Sequence, residues 1–339
     1  MEMKIIKSIS KPMLSIVLAL LIGAVVIFLV GENPGEVYLV MLEGSLGTQR
    51  AIALTLVKAT TLIFVGMSYG FAYKCGLINI GIEGQLYMGA LFAVCPAVFL
   101  KLPPLLHIPL SLFCGFLGGG LWGGLAGFLK NRFGSNEMIT TVMLNYAAIY
   151  FTSYMVNGPI QEAKGAYPQT DGIQPSAQLM NLIPKTQLNI GLLVALLALV
   201  VYFLFWKYTS KGYEMSMVGS SSEVARYGGI SVKKTVFLSM FVAGGLGGLA
   251  GCMEVMGVQH KLIAGLSAGY GFDGIAVSLL GSNGAAGILF SSILFGALRS
   301  GGNAIQMFTK IPVAVIYILQ ALVILFVVAD VFRKRQGRR

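Results

Sequence analysis

Eight polar side chains stand inside or at the edges of long apolar stretches: Asn79, Glu83, Gln85, Glu137, Asn145, Asp273, Gln306 and Gln320. Amides and carboxylates are expensive in such settings unless they face protein or a water-filled space, so they mark where a polar solute can be handled. The groups that make and break bonds are scarce. There is no G-x-x-x-x-G-K-[ST] nucleotide loop, no H-E-x-x-H and no G-x-S-x-G, and His107 and His260 are the only histidines. Cys75, Cys95, Cys114 and Cys252 form no CxxC or Cys/His cluster and read as small hydrophobes, with no metal site. A membrane hydrolase, a metalloenzyme or a chain with its own ATP site would lack its usual residues. Few fixed charges and several amides suit passage of a neutral polar solute.

The elements that carry these residues are set by composition. Hydrophobic residues make up 56% of the 339 positions and charged ones 11%, against about 25% charged in soluble domains. A soluble globule could not hide that much apolar surface, which excludes a cytosolic enzyme, a nucleic-acid binder and a secreted disulfide scaffold. Ten stretches reach spanning length, at about 13–30, 51–73, 77–100, 105–129, 138–156, 188–206, 235–256, 262–280, 284–307 and 311–332. The first is read as a retained span, since no small-x-small cleavage site follows it. Glycines between Gly257 and Gly287 leave room for a re-entrant piece.

Basic residues fix the orientation. Lys4, Lys7 and Lys11, then Lys130 and Arg132, then Lys207, Lys211, Arg226, Lys233 and Lys234, and finally Arg333, Lys334, Arg335, Arg338 and Arg339 fall on one side if ten spans alternate. The expectation is an all-α polytopic membrane protein with both termini cytoplasmic. It is one membrane domain, 1–339, in a bacterial-type cell membrane.

Gly81-Ile82-Glu83-Gly84 and Gly271-Phe272-Asp273-Gly274 repeat the pattern G-x-acid-G, for which composition alone gives about 0.2 occurrences. The copies lie five spans apart. That predicts two inverted five-helix halves, a common transporter design in which interrupted helices flank the pathway. Helix packing explains the same glycines, and both readings stay open. Neither Glu83 nor Asp273 has an evident basic partner within the spans, so backbone amides at a helix N-terminus are the expected means of holding them. Gly115, Gly119, Gly123 and Gly127, with Gly244, Gly247, Gly248 and Gly251, predict close helix contacts.

The cytoplasmic stretch 212–230 predicts a short exposed helix. Ser220 with Glu223 makes a capping box, Val224, Ala225, Arg226 and Tyr227 continue it, and Gly228-Gly229 ends it. Such a helix suits docking into a partner's groove, with Ser221 and Ala225 on the contact, although a helix lying at the lipid interface would read alike.

Gly76–Gln85, Asn136–Tyr146, Gly269–Val277 and the loop around Gly219–Ile230 together resemble the permease subunits of ATP-binding-cassette importers. The branch is the one for ribose, nucleosides and branched-chain amino acids, and the second motif looks closest to its guanosine/purine nucleoside subgroup. The resemblance runs from about Thr60 to Ala329. It implies a translocation subunit without catalytic activity, importing nucleosides or related sugar-like solutes, with simple sugars or branched-chain amino acids as alternatives. An ion-coupled secondary transporter is the rival of another kind. The resemblance also implies that the 212–230 loop couples to a separate cytoplasmic ATPase, which alone uses ATP and Mg. The other implied partners are an extracytoplasmic substrate-binding protein and a second permease, identical or paralogous. Asn79, Glu83, Gln85, Asn145 and Asp273 are the expected pathway or gate residues.

Overall fold

The computed structural model describes residues 21–29, 31–163 and 165–308, with single positions at 18, 318, 321, 322 and 325. The described chain is helical, with two isolated bridges, Gln169–Ile263 and Asn181–Asn189, in its outer loops. Most of the tenth expected span, Gln320, Lys164, most of the first span and the basic residues of both tails lie outside the described residues.

Helix α1 (Leu21–Leu29) is followed after a bend of 119° by α2 (Pro34–Leu42), which runs through a π-turn to Gly47. Asn33 caps α2 by accepting from Gly35 N–H, with Pro34 in the first turn. The segment after the first span is therefore not the loop that the spacing of apolar runs predicts. The nine-residue α2 is too short to read as a span, and it packs on a later helix: a Cβ at Gly301 would lie 2.5 Å from Met41 O. Helix α3 (Gln49–Lys74) is capped by Thr48, and α4 (Ile82–Phe99) and α5 (Pro104–Phe133) follow. Gly134 in the left-handed region ends α5. Helix α6 (Glu137–Asn157) is capped by Asn136, and α7 (Gly191–Tyr208) by no side chain. Two short helices, α8 (Ser210–Ser220) and α9 (Ser222–Tyr227), precede α10 (Val232–Glu254), which continues as a π-turn to Gln259. The last two are α11 (Tyr270–Leu280) and α12 (Ala285–Phe308).

Six described helices are long and apolar enough to cross a membrane, α3, α4, α5, α7, α10 and α12, and the bent pair α1–α2 is a seventh only if its two arms count as one span. They match the second, third, fourth, sixth, seventh and ninth expected spans. The fifth is α6, long enough but less apolar, with Thr141, Asn145 and Thr152 buried along one face. The eighth is the 11-residue α11, entered through a non-helical stretch, 260–269, where the glycine density admits an interruption.

Helices α3 and α10 pack on each other at the centre, and their neighbours repeat in pairs. Where α4 and α5 lie on α10, α11 and α12 lie on α3. The most apolar part of α3 is 78% buried and that of α7 22% buried, which separates centre from periphery. The α4–α5–α10 seam is made of glycine. A Cβ at Gly119 would overlap Gly244 O, one at Gly123 would overlap Met240 O, and one at Gly251 would overlap Leu86 O. Backbone cannot rotate aside, so these positions take no larger residue. Cys75 and Cys252 are buried and all four cysteines are free. His107, fully buried, bridges Ser176 Oγ at 2.8 Å and Pro96 O at 3.0 Å.

The seam predicts a ranking. Gly119→Ala should lower the melting temperature of the detergent-solubilised protein far more than Gly127→Ala, whose Cβ would find its nearest atom at 3.1 Å. Overpacking of this kind costs roughly 1–3 kcal/mol or more. Equal melting of the two variants would show that the seam yields.

Candidate functional site

The turn entering α4 is built from amides. Gly81, at the N-cap, has no side chain to satisfy the first donors of α4. Asn145 of α6 takes that role, accepting from Gly84 N–H at 2.7 Å and donating to Ile80 O at 2.9 Å. Asn79 Oδ1 accepts from Gly81 N–H at 3.0 Å, and its Nδ2 donates to Gln85 Oε1 at 3.0 Å. Asn79, Gln85 and Asn145 are 0%, 1% and 3% exposed, so they brace this turn from inside protein. Gly81 and Gly84 are needed because their Cβ atoms would each fall 2.8 Å from Thr141 Cβ and Asn145 Cα.

The acids of the echoing motifs meet across the molecule. Glu83 Oε2 accepts from Gly271 N–H at 2.7 Å, satisfying a first-turn donor of α11. Gly271 permits this approach, since a Cβ there would lie 2.6 Å from Glu83 Cα. Both acids follow a break in their helix and both are buried. Asp273 does have a basic partner, contrary to the expectation. Arg299 Nε donates to Asp273 Oδ2 at 2.6 Å, each side chain 11% exposed. Arg299 Nη2 donates to Ala268 O at 2.9 Å, and the guanidinium lies 4.1 Å over the Tyr270 ring. A single arginine inside an apolar run was overlooked because the run as a whole still reads as a span.

Lys58 of α3 and Glu254 of α10 are further ionisable groups within spans, and they too escape a reading based on averages. Glu254 is 5% exposed and accepts from Thr61 Oγ1 at 2.7 Å, with Lys58 in its field. Lys58, Glu254, Tyr270, Arg299, Asn303 and Gln306 line a cavity of about 310 Å3 between α3, α10, α11 and α12. Of the expected pathway residues, Asn79, Glu83, Gln85, Asn145 and Asp273 do not line it. Glu83 and Asp273 stand behind its wall through Gly271 and Arg299, whereas Asn79, Gln85 and Asn145 belong to the α4 turn. Intramembrane charge was the signal that could have found the cavity.

At the opposite end of α3, the helix expected in 212–230 forms, with its cap shifted. Ser220 ends α8, its Oγ donating to Ser216 O at 3.0 Å. Ser221 has the extended backbone of an N-cap and accepts from Val224 N–H at 3.3 Å. Glu223 therefore sits one place early for a capping box. The sequence offers three adjacent serines, and the end of the unforeseen α8 decides among them. Gly229, with φ +79°, takes the left-handed position, and Gly228, at φ −74°, does not. Ile230 N–H donates to Ala225 O at 3.0 Å, closing the helix. Ala225 is fully buried, while Val224 and Tyr227 are 55% and 94% exposed. Glu223, Arg226 and Gly228 are exposed as well. Gly219 at the end of α8 packs on Gly76, a Cβ there falling 2.9 Å from Gly76 N, so this region touches the turn that leads to Asn79.

A polytopic helical bundle with two interrupted spans facing one another, and polar groups gathered where they meet, is the core of a membrane transport protein. Residues 51–328 match the family of permease components of branched-chain amino acid transport systems, and the chain belongs to that family. It is thus the permease subunit of an ABC transporter, a multi-pass cell-membrane protein. The family implies an ATPase and a substrate-binding protein as partners. The chain is 34% identical to a guanosine ABC transporter permease protein of Bacillus subtilis, over 94% of this chain and 92% of that one. It is 35% identical to a nucleoside ABC transporter permease protein of Lactococcus lactis, over 93% and 89%. To a glucose ABC transporter permease protein of Haloferax volcanii it is 35% identical, over 96% and 88%. No solved structure matches the chain.

Two outcomes follow from the acids. Glu83→Gln keeps an acceptor for Gly271 N–H and should fold and transport partly. Glu83→Leu leaves that donor unpaired at a cost of roughly 1–3 kcal/mol and should lose both. Equal behaviour of the two would show that the bond is dispensable. Arg299→Met should cost about 3–5 kcal/mol by stranding Asp273, and Asp273→Leu added to it should recover part of the loss. A double-mutant cycle on detergent melting reads the coupling, and additivity would remove it.

Proposed function

We propose that this permease imports nucleosides, driven by a separate ATPase that docks on α9. The observation that carries the coupling part is the build of α9: a serine-capped, glycine-closed helix anchored by buried Ala225 and presenting Tyr227 almost wholly to solvent. Ser220, Ser221 and Gly228 shape it, and Glu223, Val224, Arg226 and Tyr227 form its outward surface. Movement of α9 and α8 reaches the α4 turn through Gly219 and Gly76, and from there Glu83 and the start of α11. Asn79, Gln85 and Asn145 keep that turn rigid, so that it moves as a unit. Glu83 and Asp273 hold the two interrupted helices in register beside the pathway.

The paired packing of α3, α4 and α5 against α10, α11 and α12 supports two inverted halves, in a ten-span chain with cytoplasmic termini. The chain is the transport subunit and not the catalyst. ATP and Mg2+ belong to the ATPase, and the solute arrives on an extracytoplasmic binding protein. A second permease, identical or paralogous, completes the translocator. Nucleosides are favoured by the full-length similarity to two nucleoside permeases. A sugar is the second reading, favoured by the similarity to the glucose permease.

Proteoliposomes holding the permease, its ATPase and its binding protein should take up guanosine only with internal ATP. Uptake of glucose in preference to guanosine would move the assignment to the second reading. Tyr227→Glu should fold and melt as the parent does, because the side chain is 94% exposed, yet uptake and ATP hydrolysis stimulated by the binding protein should both collapse. Normal uptake by Tyr227→Glu would take the coupling role away from α9. Ala225→Glu is a poor probe, since it buries a charge in the anchor.

A further inference from the structure

The cavity between α3, α10, α11 and α12 is unusual for the inside of a membrane bundle. Its volume, about 310 Å3, lies at the low end of small-ligand pockets, which run roughly 300–1,000 Å3. Its lining is dominated by hydrogen-bonding groups. The Lys58 ammonium makes no hydrogen bond among the described residues and meets Glu254 only through space. Glu254 has one oxygen committed to Thr61. Asn303 and Gln306, one turn apart on α12, are both exposed on the cavity side.

The electrostatics select the class of occupant. Arg299 is matched by Asp273 at 2.6 Å, and the lining also carries one lysine and one glutamate, Lys58 and Glu254, so the formal charges cancel. It offers donors from Lys58, Asn303 and Gln306 beside acceptors from Glu254 and the two amides. A hydroxyl donates once and accepts twice, so adjacent hydroxyls are the groups that such a mixture satisfies together. Leu54, Val57 and Leu266 supply an apolar wall for a flat or ring-shaped remainder.

We propose that this cavity is a holding site for the solute within the permease, where Lys58, Glu254, Asn303 and Gln306 receive the hydroxyl groups of a ribose or related sugar. The site rests on the nucleoside reading for its solute alone. Occupancy there is weak, because the solute must leave as well as arrive.

The test uses the assembled transporter with Val258→Cys or Ala268→Cys, two lining positions outside the proposed hydroxyl contacts, labelled by a small water-soluble thiol reagent. The parent gives the background of the four native cysteines, and Leu197→Cys on the outer face of α7 is the control for lipid-facing positions. Both cavity variants should label, and inosine should slow the labelling about tenfold once the site is nine-tenths occupied. Adding Lys58→Met should abolish the protection while the cysteine still labels. If inosine is imported but protects neither variant, the cavity is no holding site. If glucose is imported and inosine is not, the nucleoside reading fails by itself, and protection by glucose then upholds or overturns the cavity. Failure of Lys58→Met to assemble leaves the decision to protection in the single cysteine variants.

Discussion

A helix that begins inside a membrane bundle exposes backbone donors where no bulk water can reach them, and most of this structure follows from satisfying two such beginnings. Helix α4 starts at a glycine and takes Asn145 as its borrowed cap. Helix α11 starts at another glycine and takes Glu83. Each unsatisfied donor would cost several kcal/mol in hydrocarbon, comparable to a large share of a domain's net stability. The motif G-x-acid-G records this constraint. Its glycines admit a neighbouring backbone, and its acid serves a helix start or the arginine beside it.

The glycine seams are the second consequence. Hydrogen bonds of 2.7 Å between different helices demand that their backbones come close, and side chains at Gly84, Gly119 or Gly271 would hold them apart. Lipid gives no hydrophobic drive between helices, so close van der Waals contact has to supply the cohesion. Packing and polar architecture are therefore one requirement. For the G-x-acid-G glycines the observed role is packing: the residues that let helices touch also place the acids behind the cavity wall.

Much of this was legible in the sequence. Apolar runs located α3, α4, α5, α7, α10 and α12, and the four-residue glycine spacing identified the seam. The helix at 222–227 and its glycine end were visible in Ser, Glu and Gly positions alone. What averages hide was missed. Lys58, Glu254 and Arg299 vanish in a window of twenty apolar neighbours, although a lone charge there is the costliest residue in it. Helices α2 and α8, of nine and eleven residues, are too short to register as spans. The cap moved from Ser220 to Ser221 because adjacent serines are equivalent until the preceding helix has an end.

The contacts also form one continuous path between the two ends of the molecule. Gly219 bears on Gly76, the 76–81 turn carries Asn79, the α4 start carries Glu83, Glu83 holds Gly271, and the first turns of α11 carry Tyr270 and Asp273 against Arg299. Continuity alone is not coupling, since energy can spread through many residues. What distinguishes this path is its stiffness at each step. Two links are backbone against backbone through glycine, and two are hydrogen bonds of 2.6–2.7 Å to buried carboxylates. The glycine contacts have no side chain to absorb a displacement, and the carboxylates of Glu83 and Asp273 are buried and held by their bonds. The contact of Gly219 with Gly76 is thus joined, bond by bond, to the start of α11 and to the wall of the cavity.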